Sequence, residues 1–147
     1  MNIQIRQAIK EDLPQILNLY AEVLDKGAVL SLEQANTLFL KMATYPNYKV
    51  YVAETENKVI GTFALLIMDN LAHVGTPSAV VEDVVVADNY QGKGIGKTMM
   101  IFAMEKCKEV GCYKLVLSSN LKRTEAHAFY ESLAFEKHGF SFRADLQ

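Results

Sequence analysis

The sequence predicts one mixed α/β (α+β) domain, with a central, mostly antiparallel mixed sheet flanked by helices. Three observations lead there. Some stretches alternate apolar and polar residues as half-buried strands do, while others repeat apolar residues at helical spacing. The two patterns follow one another in the order β-α-α-β-β-β-α-β-α-β: helices first, then a meander, then crossovers. The chain has 147 residues, 50% hydrophobic and 22% charged, a size and composition suited to one domain with its own core. No repeat, linker or composition shift divides it, so residues 1–147 read as a single domain.

Ile3 and Ile5 alternate with polar residues and begin a first strand. Asp12 is placed to cap a helix, and Pro14 suits its first turn. Leu13, Ile16, Leu17, Tyr20 and Leu24 carry that helix to the break at Gly27. Ser31 and Gln34 have capping-box spacing, and Leu38, Phe39 and Met42 continue the second helix. Tyr45-Pro46-Asn47 is a loop. Val50 and Val52 alternate as a strand, Glu56-Asn57-Lys58 turns the chain, and residues 59–68 return as a long strand. After a loop over 70–77, the Val-rich residues 79–87 read as a strand buried on both faces. Met99, Phe102, Ala103, Cys107 and Val110 mark one face of a helix that Gly111 ends. Residues 115–117 form a strand, 125–133 a helix, and 135–146 a closing strand or hairpin.

Composition excludes several classes. Lys and Arg number 15 against 17 Asp and Glu, for a net charge of −2. That is not the clustered positive excess of a nucleic-acid binder. An anionic ligand would have to be held by a local arrangement. Cys107 and Cys112 form no CxxC pair and have no His at ligand spacing, so no metal site is expected. The N-terminus lacks the apolar core of a secretory signal, and no apolar run approaches the ~18 residues of a membrane span. The expectation is a cytoplasmic, reduced protein whose partners are neither nucleic acid nor membrane.

The local arrangement lies in Gln91-Gly92-Lys93-Gly94-Ile95-Gly96-Lys97-Thr98, which follows a strand and opens a helix. A helix N-terminus presents unpartnered N–H groups and partial positive charge. Glycines let phosphate oxygens approach those amides. Lys93 and Lys97 add charge, with no acid between Tyr90 and Thr98. A flexible capping turn is the plain alternative. A dinucleotide fingerprint needs G-x-G-x-x-G and an acid on the next strand, and neither is present. A Walker A loop is a near miss: Gly96-Lys97-Thr98 fits its end, but Gln91 stands where its first Gly is required.

Gln91-Gly92-Lys93-Gly94-Ile95-Gly96 also fits a Q/R-x-x-G-x-G/A signature, and over nearly its whole length the chain resembles the GNAT (GCN5-related N-acetyltransferase) superfamily. Asn120, Arg123, Ala126, Phe129, Tyr130 and Phe135 fit that family's late motif, except that Ala134 stands where it has Gly. An Ala there costs stability if its φ is positive. Residues 81–86 and 120–127 look similar to the branch that acetylates small amines, including glucosamine-6-phosphate and aminoalkylphosphonate acetyltransferases. The resemblance implies acetyl-CoA as co-substrate, no metal, and direct transfer to the primary amine of a small molecule. It implies that Gln91, Gly92, Lys93, Gly94, Ile95, Gly96, Lys97 and Thr98 hold the pyrophosphate. Val84, Val85 and Val86, on a strand that bulges in the family, would pair with the pantetheine arm. Asn120, Arg123, Ala126, Phe129 and Tyr130 would complete the coenzyme site, and a homodimer is compatible with it. A P-loop-like nucleotide binder and a non-catalytic acetyl-CoA sensor are the competing readings.

Acetyl transfer to an amine sets the remaining expectations. An aliphatic ammonium has a pKa near ~10.4, so presenting it neutral at pH 7 costs roughly 4–5 kcal/mol unaided. Glu82, inside an apolar strand, is the first candidate for a base, with its pKa raised by burial. Asp83 should face the other side unless a bulge intervenes, and it reads as a structural residue or one that helps hold the acceptor amine. Tyr130 is the candidate acid for the leaving thiolate. The Val84 N–H is the expected oxyanion donor, by resemblance and by the logic of fixed amides. Tyr20, Tyr45, Tyr48, His73 and Arg143 are candidates to line an acceptor pocket.

Overall fold

The computed structural model describes residues 1–119 and 121–147. Asn120 lies outside the described residues. The chain forms two compact units, Met1–Val116 and Leu117–Gln147.

The first unit holds a five-stranded sheet in sequence order. β1 (Gln4–Gln7), β2 (Tyr48–Thr55), β3 (Lys58–Met68) and β4 (Ser78–Val86) are antiparallel neighbours, and β5 (Leu115–Val116) lies parallel to β4. The β2–β3 turn works because Glu56 and Asn57 both take positive φ, +49° and +62°, the geometry of a tight hairpin turn. α1 (Leu13–Leu19) runs on into a π-helical turn, Tyr20–Leu24, and α2 (Leu32–Met42) follows. Ser31 and Gln34 form the expected capping box at the start of α2. On this side of the sheet Leu13, Ile16, Leu19 and Ala35 bury against Val52 and Val85.

The other face is covered by α3 (Ile95–Glu109). Met99, Met100 and Ala103 are fully buried there. Tyr51 stacks on Phe63 at 5.3 Å and meets Phe102 edge-on at 5.1 Å. Gly61 allows the close approach, because an added Cβ would lie 3.0 Å from the Met99 sulfur. Each large apolar side chain fully buried in these layers contributes about 1.5–3 kcal/mol. The second unit contains α4 (Thr124–Ser132).

Three expectations change. Asp12 does not cap α1: its carboxylate turns back to accept the Ile9 N–H at 2.8 Å and the Arg6 guanidinium at 2.7 and 2.9 Å. The strand at 79–87 is not buried on both faces throughout, because its apolar run breaks at the exposed Glu82 and Asp83. No closing strand forms over 135–146 among the described residues, and Phe140 and Phe142 stand 86% and 91% exposed. Alternating apolar residues make a strand only where an edge and a covered face receive them.

Candidate active site

β4 carries the site. Thr62 opposes Val85 and Ala64 opposes Glu82, so Asp83 and Val84 together stand opposite Phe63 alone. This is a β-bulge, with Asp83 in left-handed backbone at φ +54°. β5 pairs with β4 only at Ala79–Leu115 and Val80–Val116. Among the described residues, the β5-side edge of β4 from Val81 onward has no ladder partner. An extended ligand can bond backbone groups on such an edge.

The bulge also sets the direction of two acids. Glu82 lies in register with Ala64 and Val50, and Val50 packs on the side of α1 and α2. Without a bulge Asp83 would point to the α3 side. Instead both charges act on Tyr48, and Asp83 acts on Tyr20 as well. Tyr20 stands on the π turn, which packs against β4. π turns recur at functional sites because they re-aim side chains. A shallow groove lined by Phe39, Met42, Tyr48 and Val50 opens on this side.

Electrostatics separate the two acids. Glu82 is exposed, not buried as the sequence suggested. Asp83 keeps solvent-accessible surface too, yet the surrounding protein raises its carboxyl above the ordinary range, desolvation first and the Asp25 charge second. Burial, then the Asp83 charge, pushes the Tyr20 phenol up to about 12, opposed by the Thr62 hydroxyl. Tyr48 is raised by the same two causes and by Glu82, and it stacks on Tyr45 at 6.3 Å.

The glycine turn follows β4 as expected. Gly92 and Gly94 take φ of +75° and +83°, and a Cβ added at either would meet nothing within 4 Å. The loop is an open cradle at the N-terminus of a 15-residue helix with no acid in its first turn. Thr98 bonds back to the Gly94 carbonyl through its N–H and its hydroxyl, both at 3.0 Å. Ile95 and Val85 are 1% exposed, so only their backbone groups can serve a ligand. The Gln91 amide donates to the Val86 carbonyl at 3.1 Å and to Asp88 at 3.2 Å. It ties the loop to the end of β4, a positioning role that spacing alone did not reveal. The Lys93 ammonium lies over the Tyr90 ring at 5.3 Å, and Lys97 is exposed. These residues fit a diphosphate-bearing cofactor such as coenzyme A.

In the second unit, Ala126, Phe129 and Tyr130 are half-buried and share one face of α4 by helical spacing, with Arg123 at its N-cap. Burial raises the Tyr130 phenol, and the Arg123 charge partly offsets this. Phe129 and Phe135 flank its ring at 5.1 and 5.8 Å. Two of the proposed lining residues are engaged elsewhere: His73 meets the Tyr113 ring at 4.6 Å, and Arg143 pairs with Asp145 at 2.8 Å. Among the described residues no group of His, Cys, Asp or Glu could hold a metal ion.

Tyr20 and Tyr48 are among the residues expected to line an acceptor pocket; what sequence reasoning missed is Asp25 and the grouping of Asp25 and Asp83 with these two tyrosines. Tyr20 sat on an ordinary apolar stripe, and nothing in its spacing signalled the π turn.

Comparison with known proteins points one way. The model of the acetyltransferase (GNAT) family matches residues 11–135. The chain is 28% identical to a glucosamine 6-phosphate N-acetyltransferase of Trypanosoma brucei brucei, covering 99% of this chain and 97% of that one. It is 26% identical to an aminoalkylphosphonate N-acetyltransferase of Salmonella typhimurium, covering 97% and 91%. Among solved structures it is similar to a Trypanosoma brucei acetyltransferase, with a TM-score of 0.86, 27% identity and coverage of 99% and 100%.

Proposed function

The chain belongs to the GNAT acetyltransferase family, and on that premise we propose that it moves an acetyl group from acetyl-CoA directly to the primary amine of a small, phosphate- or phosphonate-bearing molecule. The observation that carries this is the succession on one strand: a bulge at Asp83 and Val84, an open edge after it, and a phosphate cradle at its end. The full-length relatives that act on glucosamine 6-phosphate and aminoalkylphosphonates support the acceptor class. The family match crosses the boundary between the two units, which supports one catalytic domain over residues 1–147. A cytoplasmic homodimer without nucleic-acid or membrane partners belongs to the same proposal. No described helix is long and apolar enough to cross a membrane. Leu38 and Leu40 leave 44% and 68% of their surface open on α2, which suits a second copy.

The roles follow from the chemistry. The first-turn amides of α3 and the amides around Gly92 and Gly94 hold the pyrophosphate, with Lys93 and Lys97 beside them. The β4 edge at Val84, Val85 and Val86 pairs with the pantetheine amides, and the Val84 N–H stabilises the oxyanion. Asn120, Arg123, Ala126 and Phe129 complete the coenzyme contacts. Asp83 accepts the ammonium proton, because a raised carboxyl pKa brings a base closer to its working pH. Glu82, exposed beside it, relays that proton to water. Tyr130 donates to the departing thiolate, and its raised pKa keeps it protonated at neutral pH.

The test is a screen of amino sugar phosphates, aminophosphonates, polyamines and peptide N-termini with acetyl-CoA, reading free thiol release. Turnover of a phosphate- or phosphonate-bearing amine is expected. Turnover restricted to polyamines or peptides overturns the acceptor class. Binding of Mg-ATP without binding of coenzyme A overturns the activity itself.

A further inference from the structure

α3 ends in a turn that sets two cysteines side by side. Gly111 takes left-handed backbone at φ +80°. Its N–H bonds the Lys108 carbonyl at 3.1 Å, and the Cys112 N–H bonds the Cys107 carbonyl at 2.9 Å. This pair of bonds is the Schellman pattern, whose two outermost residues bring their side chains together. Here both are cysteines. Cys107 is buried and Cys112 is partly open to solvent. The two thiols are close enough to act on each other's ionisation. Neither residue takes part in the proposed acetyl transfer.

We propose that Cys107 and Cys112 form an oxidisable dithiol, a modification site at which a peroxide makes an intramolecular disulfide. The turn holds the two backbones close, and a disulfide spans Cα separations of about 4.4–6.8 Å. The accessible Cys112 reacts first, as its thiolate. Its sulfur attacks one peroxide oxygen, the O–O bond breaks, and the other oxygen leaves as water after taking a proton. Cys112 is then a sulfenic acid. The Cys107 sulfur attacks that sulfur, and the Cys107 proton leaves with the sulfenic hydroxyl as a second water. Two thiols and one hydrogen peroxide become one disulfide and two waters. The sulfurs lose the two electrons that reduce the peroxide. Desolvation raises both thiols, Cys107 to about 12, so the reaction is slow at neutral pH.

The disulfide acts on stability. It closes the exit from α3 into β5, where the Tyr113 N–H bonds the Pro77 carbonyl and the Lys114 carbonyl accepts the Ala79 N–H, both at 3.0 Å. The phosphate cradle sits at the opposite end of α3, roughly 22 Å away at 1.5 Å per residue.

Reduced protein is exposed to hydrogen peroxide, then denatured, alkylated and weighed, with the disulfide located by peptide mapping. The expected product is lighter by about 2 Da, takes no alkylating agent at either cysteine, and melts on the order of 5 °C higher. Dithiothreitol reverses all three. Because Cys107 is buried, Cys112→Ser is the decisive variant: it keeps the Cys107 thiol and shows neither change. Cys107→Ser is expected to give a dimedone-reactive sulfenic acid at Cys112. A wild-type product heavier by about 32 Da at Cys112, a disulfide between two chains, or two thiols left intact overturns the proposal.

Discussion

Asp12 and Asp83 are the same side chain in opposite circumstances. Asp12 stands where β1 meets α1, almost wholly buried at 4% exposure. The Arg6 guanidinium grips it with two bonds and also reaches Glu54 at 2.6 Å, and the Ile9 N–H adds another. Those bonds, Arg6 foremost, hold the Asp12 carboxyl below its ordinary value despite burial. Asp83 is more exposed, but its neighbours are another acid and two tyrosines, and its carboxyl moves up. Depth of burial does not decide which way a carboxyl shifts. The partners do. A cation and an amide make a charge permanent, whereas apolar crowding and a like charge make it ready to take a proton.

The largest expected effect lies at the bulge. Asp83→Asn should lower kcat by about 10²–10⁴-fold, the usual contribution of a general base. Glu82→Gln should lower it less than about tenfold. Steady-state kinetics with a saturating acceptor would show it, and the reverse ranking would return the base to Glu82. Tyr130→Phe belongs with Asp83, because burial raises that group too. It should reduce kcat by about 10²-fold, with the dissociation constant for acetyl-CoA nearly unchanged by calorimetry.

At the other corner the loss should be of stability. Asp12→Ala leaves a half-buried guanidinium with only Glu54 and the Gln7 carbonyl and should destabilise the protein by about 2 kcal/mol in urea unfolding. An unchanged midpoint would make the Arg6 network ornamental. Ala134 shares Asp83's left-handed backbone, at φ +69°, without its chemistry. It is the C′ residue of a second Schellman turn, where the Phe135 N–H bonds the Tyr130 carbonyl at 3.1 Å. Ala134→Gly should therefore stabilise by about 1 kcal/mol, raising the melting temperature by roughly 2–4 °C.

The smallest effect is a contrast of sign with pH. Asp12 has a lowered folded pKa, so its contribution is present above the ordinary carboxylate value near ~3.9. It is lost as pH falls through the folded value. Asp83 has a raised folded pKa, so its contribution is present below ~3.9 and lost as pH rises through the folded value. At neutral pH, Asp83→Asn should therefore raise the melting temperature slightly while Asp12→Asn lowers it. Thermal melts at pH 7 that move both variants the same way would remove the contrast.

Much of this was legible in the chain. The Ser31–Gln34 box, the β2–β3 turn, the glycine cradle and the Gly111 stop are local features, written in residues that favour one backbone geometry. So was the strain at Ala134, since an Ala in a glycine position declares it. The family follows from the same local signals. Tertiary structure decided the rest. Asp12 reads as a helix cap until β1 and β2 deliver Arg6 and Glu54 to it. Residues 135–146 read as a strand, but a strand exists only with an edge to pair against. Glu82 and Asp83 are adjacent letters, and alternation sends them to opposite faces. Only the extra residue opposite Phe63, fixed by the register of β3 on β4, brings Asp83 to the side of Glu82, where both charges act on Tyr48. Register is a property of two strands together, so one strand's sequence determined the acids, and the pairing determined where they point.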